Sequence, residues 1–199
     1  MGIGETMNIW QAILAGVAAY LIGAFPTGVI ASKLVGAPDV RYVGSGHIGG
    51  TNTMRHAGPW VGATVVVIDG LKGLVAWLVA WWIMGGNPWA LPIAGTLAVI
   101  GHCFPVYIRF HGGMGLATAG GMILILSPLT IAIVVPIWAF FFLLIFRKRY
   151  SPRSVAISIP LAVAITILFL HPAPPLAWML SLVTVVLVLR HLPEWNREI

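Results

Sequence analysis

A polar, glycine-rich stretch at residues 44–55 carries residue types that suit phosphate binding. Four glycines within seven positions let the backbone adopt positive φ angles and turn its N–H groups inward as a concave anion site. Side chains of the stretch add hydrogen-bond donors and one guanidinium group whose planar fork matches phosphate. The predicted phosphate-binding residues are Gly44, Ser45, Gly46, Gly49, Thr51, Asn52 and Arg55. A tight turn that serves only packing is the alternative, since the stretch matches no Walker A or dinucleotide motif.

A second glycine-rich segment at residues 110–118 has the same character. Gly112, Gly113 and Gly115 precede an apolar run, so we expect their N–H groups at a helix start, where the helix dipole favours anions. Two such loops from separate parts of the chain could each bind one phosphate. No histidine pair has the spacing of a metal motif, and no metal site is predicted.

Asp69 and Lys72 place opposite charges one helical turn apart inside an apolar segment. Ionisable residues in such positions face protein or water. The pair could form a charged wall of a substrate cavity. It could instead neutralise itself and fix helix packing, because Gly70 and Gly73 favour a close helix contact.

The composition identifies the surroundings of the elements that must position these residues. Of the 199 residues, 59% are hydrophobic and 8% are charged. One soluble core of this size cannot bury so much apolar surface, so the chain is predicted to be an integral membrane protein. The formal net charge of +6 suits anionic lipid head groups or an anionic substrate. No basic tract interleaved with aromatic residues supports a nucleic-acid partner.

The apolar segments predict an all-α membrane protein, a seven-span helical bundle that forms one domain over residues 1–199. The predicted spans are residues 9–32, 60–84, 88–108, 116–126, 129–146, 155–170 and 176–189. The fourth span is half-length, and Gly23 and Pro26 should kink the first. With the N-terminus outside and the C-terminus cytoplasmic, ten of the eleven Lys and Arg residues lie on the cytoplasmic side.

That topology also gathers the polar segments on one side of the membrane. The loops at residues 35–59, 109–115 and 147–153 and the tail from Arg190 share the cytoplasmic face. We therefore expect the site to face the cytosol.

The ordered motifs resemble those of the bacterial acylphosphate-dependent glycerol-3-phosphate acyltransferases. The resemblance covers nearly the whole chain and rests on Gly44-Ser45-Gly46-x-Ile48-Gly49-x-Thr51-Asn52-x-x-Arg55, Asp69-x-x-Lys72-Gly73, Gly101-His102-x-x-Pro105 and Phe110-x-Gly112-Gly113-x-Gly115. It implies a plasma-membrane enzyme that transfers a fatty acyl group from acyl phosphate to the 1-hydroxyl of glycerol 3-phosphate. The products would be lysophosphatidic acid and phosphate, the acyl chain would lie in membrane lipid, and no cofactor is implied.

The resemblance also implies roles for individual residues. Ser45 and the loop amides would hold a phosphate, Arg55 and Arg149 would bind phosphate groups, and His191 would contact the substrate phosphates. Ser45, Arg55 and His191 are the predicted catalytic residues, and Glu194 is a predicted substrate-binding residue. Acyl phosphate already has a good leaving group, so positioning and charge neutralisation are sufficient without a covalent nucleophile.

The chain departs from the family pattern at positions that concern charge. Met114 stands where the family has a lysine, and His47 and Glu194 stand where it has asparagines. His47, Lys72 and Arg109 are candidates to supply the missing charge, and His47 is counted among the predicted substrate-binding residues. A second interpretation is therefore a divergent relative that binds a phosphorylated lipid or transports an anion without acyl transfer.

Overall fold

The computed structural model describes residues 8–198, and this part of the chain forms helices without β-strands. The α-helices are α1 (Ile9–Gly23), α2 (Thr27–Leu34), α3 (Gly50–Ala57), α4 (Pro59–Ile83), α5 (Ala90–Cys103), α6 (Leu116–Leu126), α7 (Pro128–Phe140), α8 (Ser151–Leu170) and α9 (Pro174–His191). Short 3-10 turns lie at Val106–Ile108 and Leu192–Glu194, and a π-helical turn at Phe141–Ile145 extends α7.

Six helical segments of the described chain are long and apolar enough to cross a membrane. They are Ile9–Leu34, Pro59–Ile83, Ala90–Ile108, Pro128–Ile145, Ser151–Leu170 and Pro174–Glu194. These segments confirm the predicted all-helical membrane protein. The predicted fourth span is α6, whose 11 residues fall short of the roughly 20 that a helix needs to cross a bilayer. The seven-span count and the orientation of the termini stay predictions.

The first span is broken at the predicted place. Helix α1 ends at Gly23 and α2 begins at Thr27. A Cβ atom at Gly23 would overlap the backbone of Ala98, so only glycine allows α1 to approach α5 this closely. Pro26 has no N–H to continue the helix. The break directs the chain out of α2 into the glycine-rich loop.

Small residues allow the helices around the site to pack tightly. Seven fully buried alanines join α1, α4 and α5: Ala15, Ala19, Ala76, Ala80, Ala90, Ala94 and Ala98. Helix α6 lies against α4, where a Cβ at Gly73 would stand 2.6 Å from the Thr118 carbonyl oxygen. This contact confirms the predicted packing role of Gly73. Met122 and Met179 fill the apolar core between α6 and α9.

The predicted loop at residues 35–59 is wrong in its second half. Helix α3 forms there, with Gly49 as its N-cap, and ends before Gly58, whose φ of +103° stops the helix. Pro59 then begins α4, in the first helical position that proline favours. The glycine-rich stretch is therefore a loop followed by a helix N-terminus.

Candidate active site

One cavity of about 620 Å³ brings together most of the predicted site residues. It lies at the end of the bundle where the α2–α3, α5–α6 and α7–α8 connections meet the C-terminal tail. The predicted residues that line it are Gly44, Ser45, His47, Gly49, Thr51, Asn52, Arg55, Asp69, Gly115, His191 and Glu194. The lining also contains residues absent from the prediction, among them Gly50, Met114, Ala117, Ser151, Arg197 and Glu198.

Two helices begin at this cavity, and neither has a side-chain cap. Helix α3 starts after Gly49, and its first intrahelical bond joins Thr53 N–H to the Gly49 carbonyl at 3.1 Å. Helix α6 starts after Gly115, and Ala119 N–H donates to the Gly115 carbonyl at 3.0 Å. The N–H groups of the first turn precede these bonds and have no partner within the helix. The partially positive N-termini of α3 and α6 therefore both lie at the cavity, where they favour anions.

The shape of the glycine-rich loop depends on Asn52, which is 3% exposed. Its Nδ2 atom donates to the carbonyl oxygens of Val40, Val43 and His47 at 2.8, 3.1 and 3.0 Å. Its Oδ1 atom accepts a hydrogen bond from Ser45 N–H at 3.1 Å. The loop uses the whole amide, so the prediction of Asn52 as a direct phosphate donor is corrected to a role in holding the loop.

Two glycines of this loop adopt positive φ angles, as the sequence predicts. The φ angles are +56° at Gly44 and +72° at Gly46. Gly44 lines the cavity, whereas Gly46 does not. Gly46 therefore serves the turn rather than a direct contact.

Arg55 and Ser45 keep polar groups that a ligand can use. The Arg55 side chain lines the cavity and makes no hydrogen bond or ion pair with any residue between 8 and 198. The Ser45 hydroxyl oxygen accepts a bond from His47 N–H at 3.3 Å, which leaves its own O–H free to donate. A guanidinium group from the last turn of α3 and a hydroxyl donor from the loop before it thus line the same cavity as the start of α3.

His191 lies at the end of α9, and a backbone carbonyl group determines which of its ring nitrogens carries the hydrogen. Its Nδ1 atom is 2.7 Å from the Leu187 carbonyl oxygen, so Nδ1 carries the hydrogen and donates it. In the neutral ring, Nε2 is then an acceptor. The side chain is 2% exposed and lines the cavity, so it can accept a hydrogen bond from a bound hydroxyl group.

The buried charges of α4 form a cluster with His102. Lys72 Nζ is 2.8 Å from Asp69 Oδ1, 2.9 Å from the Phe25 carbonyl oxygen and 3.3 Å from His102 Nδ1. Asp69 and His102 line the cavity, but Lys72 does not. The cluster makes Asp69 part of the wall and ties α4 to α5. Lys72 is corrected from a substrate-binding residue to the counter-ion of Asp69, because the Asp69 carboxylate, the Phe25 carbonyl and the His102 ring surround its ammonium group.

Gly112 and Gly113 form a tight turn against the end of α5, and the N–H group of Gly113 is already bonded. A Cβ atom at either position would overlap the end of α5, at Cys103 for Gly112 and at His102 for Gly113. Gly113 N–H donates to the His102 carbonyl at 3.0 Å, and Arg190 Nε donates to the Gly113 carbonyl at 3.0 Å. Of the three predicted glycines, only Gly115 lines the cavity. The anion-binding prediction is therefore corrected for the N–H group of Gly113, and for Gly112 it stays a prediction.

The C-terminal tail lies beside the start of α8 and carries its own charges into the site. Arg149, a predicted phosphate ligand, is exposed, pairs with Glu198 at 2.7 Å and does not line the cavity. Arg197 does line it and pairs with Glu194 at 2.8 Å. Arg197 is the cavity cation that the predicted site omits. The spacing of one helical turn between Glu194 and Arg197 is the sequence feature that indicates this ion pair.

Glu194 also faces His47, across 3.4 Å between Oε1 and Nε2. Burial of the ring, followed by the repulsion of Arg190, lowers the pKa of His47 to about 4, although Glu194 opposes this shift. The imidazole is therefore neutral at neutral pH.

Comparison with known proteins relates the whole chain to one family. The sequence model described as glycerol-3-phosphate acyltransferase matches residues 13–199. A glycerol-3-phosphate acyltransferase of Syntrophotalea carbinolica is 41% identical over 174 residues, 87% of each chain. One from Rhizobium etli is 35% identical over 187 residues, which are 94% of this chain and 87% of the relative.

Solved structures agree with the sequence comparison. A crystal structure of an integral membrane glycerol 3-phosphate acyltransferase in its glycerol 3-phosphate form has a TM-score of 0.77 and 32% identity, and covers 94% of this chain and 90% of that chain. The lysophosphatidic acid form has a TM-score of 0.75, 30% identity and the same coverage.

Proposed function

This chain belongs to the glycerol-3-phosphate acyltransferase family, and we propose that it transfers a fatty acyl group from acyl phosphate to the 1-hydroxyl of glycerol 3-phosphate. The products are lysophosphatidic acid and inorganic phosphate. The observation that carries the proposal is the convergence of two uncapped helix N-termini, α3 and α6, on one cavity. This reaction requires two phosphate groups to be held close together.

Each helix end has a nearby group that suits one phosphate. At α3, the Ser45 hydroxyl and the Arg55 guanidinium, which has no partner among residues 8–198, add to the backbone N–H groups. At α6, the positive φ of +84° at Gly115 turns the chain into the helix. Arg197 supplies a second guanidinium in the lining. Together these groups neutralise the charge that develops on the leaving phosphate.

The reaction needs a positioned hydroxyl more than an activated protein nucleophile. The acceptor's hydroxyl oxygen attacks the acyl carbonyl carbon, and the bond between that carbon and the phosphate oxygen breaks. His191 Nε2 accepts the hydrogen bond of the hydroxyl, and the proton ends on the released phosphate. Proton transfer of this kind contributes about 10²–10⁴-fold to a rate. Asp69 and His102 form the wall behind the reacting groups.

We also propose the predicted topology of seven crossings, with the N-terminus outside and the C-terminus and active site facing the cytosol across the plasma membrane. Support comes from the connections at the cavity end, which hold most of the arginines and lysines of the chain. Helix α6 starts at the cavity and packs against α4. The acyl chain would lie between helices, in contact with membrane lipid.

The activity is tested with purified protein in detergent, acyl phosphate and glycerol 3-phosphate, by measuring phosphate release together with lysophosphatidic acid. We expect both products in equal amounts. Arg55→Ala should lower kcat/KM by about 10- to 150-fold, since a hydrogen bond to a charged group contributes about 1.5–3 kcal/mol. Arg147→Ala, which removes the same charge outside the cavity, is the matched control and should retain activity.

A second candidate function is binding of a phosphorylated lipid without acyl transfer. It is favoured by Met114, which lines the cavity at the position where the resemblance implies a lysine. Binding of acyl phosphate without release of phosphate would support this candidate and contradict the acyltransferase proposal.

A further inference from the structure

His47 and Glu194 come from opposite ends of the chain and meet in the cavity. Nε2 of His47 lies 3.4 Å from Oε1 of Glu194, and the two side chains are 17% and 21% exposed. Both residues line the cavity. Nε2 is buried and has no hydrogen-bond partner between residues 8 and 198. A polar nitrogen therefore points at a carboxylate without completing a bond to it.

Charged and titratable groups surround this ring on several elements. Those close enough to act on its charge are Arg190, His191, Glu194, Arg197 and His102. The two arginines oppose a positive charge on His47, and Glu194 favours one. Together with burial they leave the ring neutral while the cavity holds no anion, since the pKa of His47 is lowered to about 4. A bound anion would offset the arginines and reverse this balance.

The cavity also has little positive charge for a site that must hold two phosphates. Its charged lining residues are Arg55, Asp69, Glu194, Arg197 and Glu198. Lys72 neutralises Asp69 at 2.8 Å, and Arg149 neutralises Glu198 at 2.7 Å. Two arginines then remain against one carboxylate, and Met114 adds no charge. One more positive charge beside the α3 N-terminus would improve the match to a phosphate dianion.

We propose that His47 takes up a proton when an anion binds in the cavity, so that its imidazolium completes the phosphate site and pairs with Glu194. The inference rests on the proposed function, because it assumes that the cavity binds phosphate groups. A site that gains a proton on binding holds its ligand more tightly as the pH falls. The affinity should increase up to tenfold per pH unit between the pKa values of the free and bound states.

Sulfate is the appropriate probe, because a phosphate monoester titrates near pH 6 whereas the charge of sulfate is constant in this range. Calorimetry at about pH 5.5, in two buffers that differ in ionisation enthalpy, gives the number of protons taken up per sulfate bound. We expect the wild type to take up about 0.2 to 0.9 proton per sulfate, because an opposite charge raises a histidine pKa by about 1–3 units from its value of about 4 in the free protein. His47→Asn should take up close to none, with affinity that no longer changes with pH.

Two further variants test whether proton uptake depends on the contact between His47 and Glu194. Glu194→Gln keeps the size of the side chain but removes its charge, so proton uptake should fall below half of the wild-type value. His111→Asn removes an exposed histidine outside the cavity and should leave proton uptake unchanged. A cooperative thermal unfolding transition of His47→Asn in detergent shows that this variant folds.

The outcomes distinguish this inference from the proposed function. Equal proton uptake by the wild type and His47→Asn, or no binding of sulfate by the wild type, overturns the role of His47. Binding of glycerol 3-phosphate at about pH 7.5 would still support the phosphate site in either case. Failure of glycerol 3-phosphate to bind the wild type contradicts the site itself and both proposals with it.

Discussion

Replacing Asn52 with alanine should impair catalysis by releasing the glycine-rich loop. The substitution removes four hydrogen bonds of 2.8–3.1 Å, three donated by Nδ2 and one accepted by Oδ1. At about 0.5–1.5 kcal/mol each, their loss amounts to roughly 3 kcal/mol at the loop. If this loss destabilises the loop conformation that binds substrate, kcat/KM decreases by about 100-fold. The decrease should appear in kcat/KM measured at varied glycerol 3-phosphate, because the loop positions Ser45 in the cavity.

The assay is the coupled measurement of phosphate and lysophosphatidic acid at varied glycerol 3-phosphate. Asn87→Ala is the matched control, since Asn87 accepts one local bond from Trp89 N–H at 2.9 Å and lies outside the cavity. It should keep kcat/KM within about twofold of the wild type. Wild-type kcat/KM in Asn52→Ala would refute the reasoning, because the loop would then hold its shape without the amide.

The structure supports three further predictions. Lys72→Met leaves Asp69 as an uncompensated buried charge, so it should destabilise the protein by about 3–5 kcal/mol. Thermal unfolding in detergent should show that adding Asp69→Asn recovers part of the lost stability. Met114→Lys places a positive charge in the cavity lining and should raise turnover, measured as phosphate release; unchanged or lower turnover would contradict the proposed phosphate geometry. Because the pKa of His47 is about 4 in the folded protein against 6.5 for an exposed ring, the unfolded state binds more protons as the pH falls below 6.5. Between neutral pH and about pH 5, the Tm of the wild type should therefore drop more than that of His47→Asn, and equal drops would contradict this assignment.

Much of the fold is readable from local sequence. Long uncharged segments predict membrane helices because a lipid environment excludes most other structures. The break between α1 and α2 follows from Pro26 and the glycine at the contact with Ala98. Helix α3 was not predicted because its glycine-rich start resembles an extended loop. Only the structure shows that Gly49 is the N-cap of a helix.

The site is harder to predict, because residue type does not reveal which partner a polar group will choose. The side-chain amide of Asn52 could donate to a phosphate, but its Nδ2 atom donates to loop carbonyl oxygens instead. Gly113 has a suitable N–H but donates it to the His102 carbonyl. The contact between His47 and Glu194 joins residues far apart in sequence, so it depends on how α9 packs in the bundle.

The most direct test of the central claim is an experimental structure with glycerol 3-phosphate and a non-reactive acyl phosphonate bound together. We predict both phosphorus atoms inside one cavity, one beside the N-terminus of α3 with Arg55 and one beside the N-terminus of α6. Phosphorus density at only one of these helix ends, or bound outside the cavity at Arg149, would contradict it.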